Sequence, residues 1–271
     1  MNKTSLTMFD TDMLIHRHSI DPRVSEAAQR RWQVAHSAAI ASFSRVEFKG
    51  NYIQDLILLR RKVADSDSIK EAFARVQHTG GRKSGLMLAQ LVTLIGEDEF
   101  HARPWNKSQG VMLAALDLQV LAAWEELEAL SDAIIDELAC TRASEPPTGE
   151  NGTWSATIPH CVRRNTRCRV VRFFTDNREK LEHLQQHLEG MTDRLSPQLQ
   201  KILDITRRTL SEGRFPWEGT TCRSGIGDLL IGLQAVGARV MVSSNKAEHE
   251  TLSEALRYAF EEFPIASIRL K

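Results

Sequence analysis

The fold class of this chain is indicated by the segment SLTMFDTD at residues 5–12, in which an apolar run stops at acidic residues. We predict that Ser5–Phe9 forms a short strand buried on both faces, with Asp10 following it directly. A similar arrangement recurs near the other end, where Ala238–Val242 predicts a strand and polar residues 243–245 come after it. Because strands alternate with helices at both ends of the chain, the sequence predicts an α/β fold with a parallel sheet.

The remaining elements of this sheet domain are predicted from periodicity and turn residues. We predict helices over Ser25–Phe48, Asp228–Val236 and Lys246–Phe260, and strands over Cys168–Phe174 and Ala266–Leu270. Together with the first strand, these elements account for both ends of the chain.

The middle of the chain has a different pattern, and residues 70–141 are predicted to be wholly helical. Its clearest element is Val111–Leu138, which carries apolar residues at alternating steps of three and four. These residues are Leu113, Leu116, Val120, Ala123, Leu127, Leu130 and Ile134. We expect this seam to face the Leu86–Leu94 helix inside one protomer. The alternative is a coiled coil that forms a homodimer or binds a protein partner.

The linker at Ala143–Gly152, rich in Pro, Gly and polar residues, separates the helical region from the C-terminal part of the chain. We therefore divide the chain into an N-terminal part of the α/β domain at residues 1–65, a helical insertion at residues 66–155 and a C-terminal part at residues 156–271.

Composition narrows the function classes. Lys and Arg total 35, as do Asp and Glu, so no overall field attracts nucleic acid and anion binding depends on local patches. The four cysteines are interpreted as reduced thiols. The apolar stretch Gly85–Gly96 is shorter than the roughly 20 residues that a membrane span needs, and the N-terminus does not have the pattern of a signal peptide. We expect a cytoplasmic protein without a membrane partner.

Four polar residues are candidates for one site. Ligands of parallel α/β sheets bind beyond the carboxyl ends of the strands, and Asp10 and Asn245 each follow a predicted strand. Asp228 begins a helix expected to pack on the sheet, and Glu47 lies near the end of another. Carboxylates brought together raise one another's pKa, and Mg²⁺ or Mn²⁺ relieves that repulsion. Such an ion suits hydrolysis of a phosphodiester. Taken singly, each residue also has a purely structural interpretation: Asp10 could cap a turn, Asp228 could cap a helix, and Glu47 could be a solvated helix residue.

Four motifs resemble those of the PIN-domain nucleases, particularly the toxin ribonucleases of bacterial toxin–antitoxin pairs. The motifs are DTD at residues 10–12, EFKG at residues 47–50, GIGDLLIG at residues 225–232 and SSN at residues 243–245. Asp12 stands where the family usually has Asn, and Asn245 stands where many members have Asp. The resemblance covers about the first 60 and the last hundred residues.

The resemblance implies a three-layer α/β/α PIN-like domain with a parallel central sheet, interrupted here by an all-helical insertion. It implies that Asp10, Glu47 and Asp228 are catalytic metal ligands for Mg²⁺ or Mn²⁺, and that Asn245 occupies the fourth catalytic position. Supporting roles fall to Thr11, Asp12 and Ser243.

A basic run precedes and enters the predicted Cys168–Phe174 strand. Arg163, Arg164 and Arg167 could contact a phosphate backbone. The alternative is a solvated edge, or salt bridges to Glu125, Glu126 and Glu128.

We therefore predict a metal-dependent endoribonuclease, with DNA as the other substrate option. The alternative is a catalytically weakened PIN-like scaffold that binds RNA or protein through its helical insertion. A third option is a helical regulator whose α/β core is purely structural.

Overall fold

The computed structural model describes residues 5–79, 81–96, 104–130, 134–135, 148–150, 153–155, 169–213 and 226–269. The chain divides into two compact units. The first, the sheet unit, comprises Met1–Phe48, Leu130–Ser144 and Pro159–Lys271. The second, the helical unit, comprises Lys49–Ala129 and Glu145–Ile158.

The strands are short. In chain order they are β1 (Thr7–Phe9), β2 (Ala38–Ala41), β3 (Ile134–Ile135), β4 (Thr148–Glu150), β5 (Thr153–Ser155), β6 (Val240–Ser243) and β7 (Phe260–Glu262).

The α-helices make up most of the described chain. In chain order they are α1 (Thr11–Arg17), α2 (Pro22–Gln33), α3 (Ser42–Phe48), α4 (Gln54–Ala64), α5 (Ile69–Gln77), α6 (Gly81–Ile95), α7 (Trp105–Ala129), α8 (Arg169–Asp176), α9 (Arg178–Glu189), α10 (Pro197–Glu212), α11 (Gly227–Ala235), α12 (Lys246–Leu256) and α13 (Ile265–Arg269). A π-helical segment, Lys49–Ile53, precedes α4, and a 3₁₀ turn, Thr192–Arg194, precedes α10.

The sheet unit is an α/β fold with an all-parallel sheet, as predicted. Strands β2, β1, β6 and β7 lie side by side, and the two-residue strand β3 extends the sheet beyond β2. In the central register, Met8 lies opposite Ala39 on one side and Met241 on the other. The strand order therefore reverses between β1 and β6, which is a topological switch point.

Both faces of the sheet are buried. Met8, Ala39 and Met241 belong to a core cluster that also includes apolar residues of α9, α10, α11 and α12. On the opposite face, Phe9 stacks on Trp32 of α2, with ring centroids 4.1 Å apart. Helix α2 packs with α1 and α13, whereas α9 packs with α10 and α12. This arrangement is compatible with three α/β/α layers.

The predicted single helix Ser25–Phe48 is wrong. The structure has α2, β2 and α3 in this region, and β2 pairs with both β1 and β3. The alanines of Ala38–Ala41 favour a helix when they are considered alone. Burial and pairing with two neighbouring strands override that local preference.

Two predicted strands of the C-terminal part are also wrong. The sequence predicts a strand over Cys168–Phe174, but Arg169–Asp176 forms α8, whose Val170, Phe173 and Phe174 are buried at helical spacing. Residues 266–269 of the predicted terminal strand Ala266–Leu270 instead belong to α13, and β7 is the last strand of the sheet within the described residues. Both segments are short, so their apolar residues fit either period.

The helical unit begins at Lys49 and thus includes α4, which the sequence division assigned to the residues before 66. Helix α7 packs against α4 and α6, and the Arg60–Asp117 ion pair joins α4 to α7. The buried residues of α7 are Ser108, Met112, Leu116, Val120, Ala123 and Leu127. The predicted heptad seam is therefore present over its central residues, but α7 ends at Ala129 and Ile134 belongs to β3.

A β4–β5 antiparallel hairpin lies in the helical unit, partly within the predicted linker. None of the helices in the described ranges combines the length and apolar character that crossing a membrane requires.

Candidate metal site

The candidate site lies at the switch point of the sheet, beyond the carboxyl ends of β1 and β6. Asp10 follows β1 immediately, and its backbone N–H donates to the carbonyl of Val242 in β6 at 3.1 Å. This bond continues the pairing of the two strands by one residue. It therefore fixes the Asp10 side chain at the rim where α/β proteins bind their ligands.

The Asp10 carboxylate is nearly buried, with 6% of its side chain exposed. Its Oδ1 accepts a hydrogen bond from the backbone N–H of Thr11 at 2.6 Å, and its Oδ2 accepts one from Ser243 Oγ at 2.9 Å. Burial by itself raises the pKa of Asp10, but His249 and these two donors outweigh it and lower the pKa below its usual value. Asp10 is thus held as a charged group in a fixed orientation.

Asp12 secures the segment that follows β6. Its Oδ2 accepts hydrogen bonds from the Ser244 backbone N–H at 2.6 Å and from Ser244 Oγ. Ser243 Oγ, which donates to Asp10, also lies 3.1 Å from Asp12 Oδ2. Burial, followed by the charge of Asp10, raises the pKa of Asp12 to about 6. The predicted supporting residues Asp12 and Ser243 therefore lie beside Asp10 and join the ends of β1 and β6.

Glu47 reaches the same rim from α3. The Thr11 hydroxyl donates to Glu47 Oε2 at 2.8 Å. Burial, together with the charges of Asp10 and Asp228, raises the pKa of Glu47 to about 8. A Cβ atom at position 227 would lie only 2.2 Å from Glu47 Oε1, so Gly227 leaves the space that this carboxyl group occupies.

Asp228 stands in the first turn of α11, and 23% of its side chain is exposed. Its Oδ1 accepts a hydrogen bond from Asn245 Nδ2 at 3.3 Å, and Gln198 Nε2 lies 3.5 Å from its Oδ2. Burial is the main cause of its raised pKa, and the negative charges of Asp10 and Glu248 raise that pKa further. Asn245 therefore turns a donor toward the cluster, and it adds no negative charge.

His249 is the member of this cluster that sequence reasoning missed. It lies in α12 and is fully buried; its Nε2 is 3.2 Å from Asp10 Oδ2 and 3.6 Å from Asp228 Oδ1. Burial lowers the pKa of an imidazole, but the two carboxylates outweigh it and raise the pKa of His249 to about 9. A signal was available in the sequence, because His249 shares a helical spacing with the buried residues Leu252 and Leu256.

One ligand atom from each of Asp10, Asp228 and His249 lies within 4.8 Å of the other two, close enough to surround a single ion. Glu47 is outside this three-atom group. It is connected to the group by the hydrogen bond from Thr11, and the charges of Asp10 and Asp228 raise its pKa. The structure thus brings together the predicted residues Asp10, Glu47, Asp228 and Asn245. The predicted nucleic-acid contacts Arg163, Arg164 and Arg167 lie outside the described residues.

The donor set fits a divalent cation. Two oxygen donors and an imidazole nitrogen converge, and His249 Nε2 forms no hydrogen bond of good geometry within the described ranges. A buried polar nitrogen directed between two carboxylates is the kind of group that a metal ion satisfies.

Comparison with known proteins does not assign this chain to a family. No protein-family model, curated protein or solved structure matches it. Function must therefore be argued from the geometry of the rim and from the four motifs.

Proposed function

We propose that this chain is a divalent-metal-dependent nuclease that hydrolyses phosphodiester bonds, with RNA as its substrate. The observation that carries the proposal is the convergence of ligand atoms from Asp10, Asp228 and His249 within 4.8 Å, at the switch point of a parallel sheet. Sites at this position of α/β folds bind ligands.

The need for a cation follows from electrostatics. The raised pKa values of Glu47 and Asp228 report that burial and neighbouring charge make these carboxylates costly to ionise. Asp10 and Asp228 would hold the ion, with Glu47 adjacent. A divalent ion here would supply an activated water and stabilise the charge that develops on a phosphate.

The other residues of the rim orient these carboxylates. Ser243 donates to Asp10, Thr11 donates to Glu47, and Asn245 donates to Asp228. Each of these carboxylates thus has at least one defined donor, which limits its rotation. Pre-oriented ligands lower the cost of assembling a site.

RNA is proposed as the substrate because the four motifs resemble those of PIN-domain toxin ribonucleases. The chain has no net charge to attract a polyanion. Phosphate contacts must therefore come from local groups, for which Arg163, Arg164 and Arg167 remain the candidates.

The test is cleavage of labelled single-stranded RNA with Mn²⁺, comparing wild type with Asp10→Asn. We expect the substitution to reduce cleavage by at least about 100-fold, because it removes the charge of a proposed ligand. Asp204→Asn is the matched control, since its side chain is 58% exposed on α10. Equal activity of wild type and Asp10→Asn would contradict the proposal. A parallel assay with labelled single-stranded DNA shows whether RNA or DNA is the preferred substrate.

A second candidate is a binding scaffold that acts through the helical unit. The residue that favours it is Asn245, whose amide donates a hydrogen bond to Asp228. An acidic side chain at the same position would bind a metal ion more strongly than this amide does. Calorimetric titration with Mn²⁺ separates the two. A scaffold shows no binding that depends on Glu47 and Asp228, whereas the nuclease loses affinity when either is changed to its amide.

A further inference from the structure

We propose that His249 is a nitrogen ligand of the metal and that the site therefore selects a first-row transition ion over Mg²⁺. This inference rests on the metal site of the proposed function and extends it to the identity of the ion. The motifs that suggested Mg²⁺ or Mn²⁺ contain only oxygen ligands.

The position of His249 is the first argument. Its ring is fully buried, and its Nε2 lies 3.2 Å from Asp10 Oδ2 and 3.6 Å from Asp228 Oδ1. Within the described ranges this nitrogen has no hydrogen bond of acceptable geometry, although it lies within ion-pair distance of both carboxylates. A cation shared by the three groups would satisfy all of them.

The other ring nitrogen supplies the second argument. His249 Nδ1 lies 3.1 Å from the hydroxyl oxygen of Tyr258, and the same hydroxyl lies 3.4 Å from the backbone carbonyl oxygen of His249. The carbonyl can only accept, so a Tyr258 hydroxyl that donates to it is free to accept from Nδ1–H. When His249 is neutral, a proton on Nδ1 leaves the lone pair on Nε2, where it can bind a metal. Metal-binding histidines commonly have their second nitrogen fixed in this way.

The donor set then determines the ion. Imidazole nitrogen suits first-row transition ions such as Zn²⁺, Fe²⁺ and Co²⁺, whereas Mg²⁺ prefers an all-oxygen octahedral shell. Mn²⁺ accepts both kinds of ligand and is the practical probe, because it is paramagnetic.

The competing role for His249 is that of a buried imidazolium which neutralises Asp10 and Asp228 through an Nε2–H group. In that role the nitrogen points at the carboxylates but never binds the ion. The two roles differ in one measurable quantity, the magnetic coupling between bound Mn²⁺ and a ring nitrogen.

The experiment is pulsed electron paramagnetic resonance of the full chain loaded with Mn²⁺, without RNA. We expect ¹⁴N coupling in the wild type, its loss in His249→Gln, and its retention in His183→Gln, which makes the same change at an exposed position of α9. Tyr258→Phe should keep the coupling but weaken Mn²⁺ affinity about 10- to 100-fold, because Nδ1 loses its partner. A 100-fold excess of Mg²⁺ should not displace the Mn²⁺.

The wild-type measurement alone can overturn the inference, whatever the folding of the variants. Bound Mn²⁺ without ¹⁴N coupling, no bound Mn²⁺, or displacement by Mg²⁺ would each contradict it. RNA cleavage without ¹⁴N coupling removes this inference and leaves the nuclease proposal standing. Coupling without cleavage of RNA or DNA removes the nuclease proposal and leaves His249 as a metal ligand.

Discussion

Replacing Glu47 by Gln should make the metal-free protein more stable in alkaline solution relative to wild type. The pKa of Glu47 is raised from its ordinary value of 4.5 to about 8, mainly by burial and then by Asp10 and Asp228. Above pH 4.5 the unfolded chain has released this proton while the folded chain retains it. Stability therefore falls as pH rises, until the folded group also ionises near pH 8.

The magnitude is given by linkage. Each pH unit in this window costs the folded state about 1.4 kcal/mol. Between about pH 5 and pH 9 the free energy of unfolding of the wild type should therefore fall by about 4 kcal/mol because of Glu47. Because the side chain is partly exposed, solvent screening reduces the cost toward about 2 kcal/mol. Gln keeps an oxygen that can accept from the Thr11 hydroxyl, and it has no proton to lose in this range.

The assay is urea unfolding followed by circular dichroism, in the presence of a chelator, at about pH 5, 7 and 9. We expect the stability of Glu47→Gln relative to wild type to increase by about 2–4 kcal/mol from the lowest to the highest of these pH values. His249, whose pKa is raised to about 9, also stabilises the fold at low pH and loses that effect as pH rises. It does so in both proteins, so its contribution largely cancels in the difference.

The matched control is Glu26→Gln, because that side chain is 65% exposed on α2. Its difference from wild type should stay constant across the same pH range. If the difference for Glu47→Gln is equally constant, Glu47 does not share a buried cluster with Asp10 and Asp228, and the electrostatic argument for a cation fails.

Two further predictions compare a buried position with an exposed counterpart. Gly227→Ala should weaken Mn²⁺ binding more than about 10-fold, because its Cβ would lie 2.2 Å from Glu47 Oε1 and that carboxyl group must move. The tight contact with the Phe43 ring, 3.3 Å from Cε1, should also destabilise the fold by about 1 kcal/mol. Gly110→Ala should stabilise α7 by about 0.5–1 kcal/mol, because a Cβ at this position has nothing within 4 Å. Titration measures the Mn²⁺ affinity of the two variants, and urea unfolding measures their stability. Similar results for the two variants would contradict the close approach at position 227. Leu116→Ala should cost about 2–5 kcal/mol because Leu116 is fully buried, whereas Leu118→Ala, at a side chain 67% exposed, should stay within about 0.5 kcal/mol of wild type. Equal unfolding midpoints for these two variants would refute the orientation of α7.

Local sequence was sufficient to predict those helices and strands whose pattern of apolar residues fits only one kind of secondary structure. The first strand, the helix that begins at Asp228 and the strand before Ser243 are all predicted by short apolar runs next to Gly or acidic residues. Their order along the chain was enough to predict a parallel sheet. It was also enough to place Asp10 and Asn245 at one edge of that sheet.

Local sequence was insufficient where pairing partners decide the structure. The alanine-rich segment 38–41 becomes a strand only because β1 and β3 flank it. The opposite error occurred at Arg169–Asp176, where a run of apolar and basic residues forms a helix with one buried face. In both cases distant neighbours provide the stabilising contacts, and a short window of sequence does not contain them.

The sequence by itself determined which acidic residues follow strands or begin helices, because strand ends and helix starts are encoded by adjacent residues. Only the tertiary structure decided which of these side chains meet. The pairing of β1 with β6 and the packing of α11 and α12 bring Asp10, Asp228 and His249 within 4.8 Å of one another. His249 belongs to the group because the buried face of α12 points it at the carboxylates, and that direction depends on packing between segments far apart in the chain.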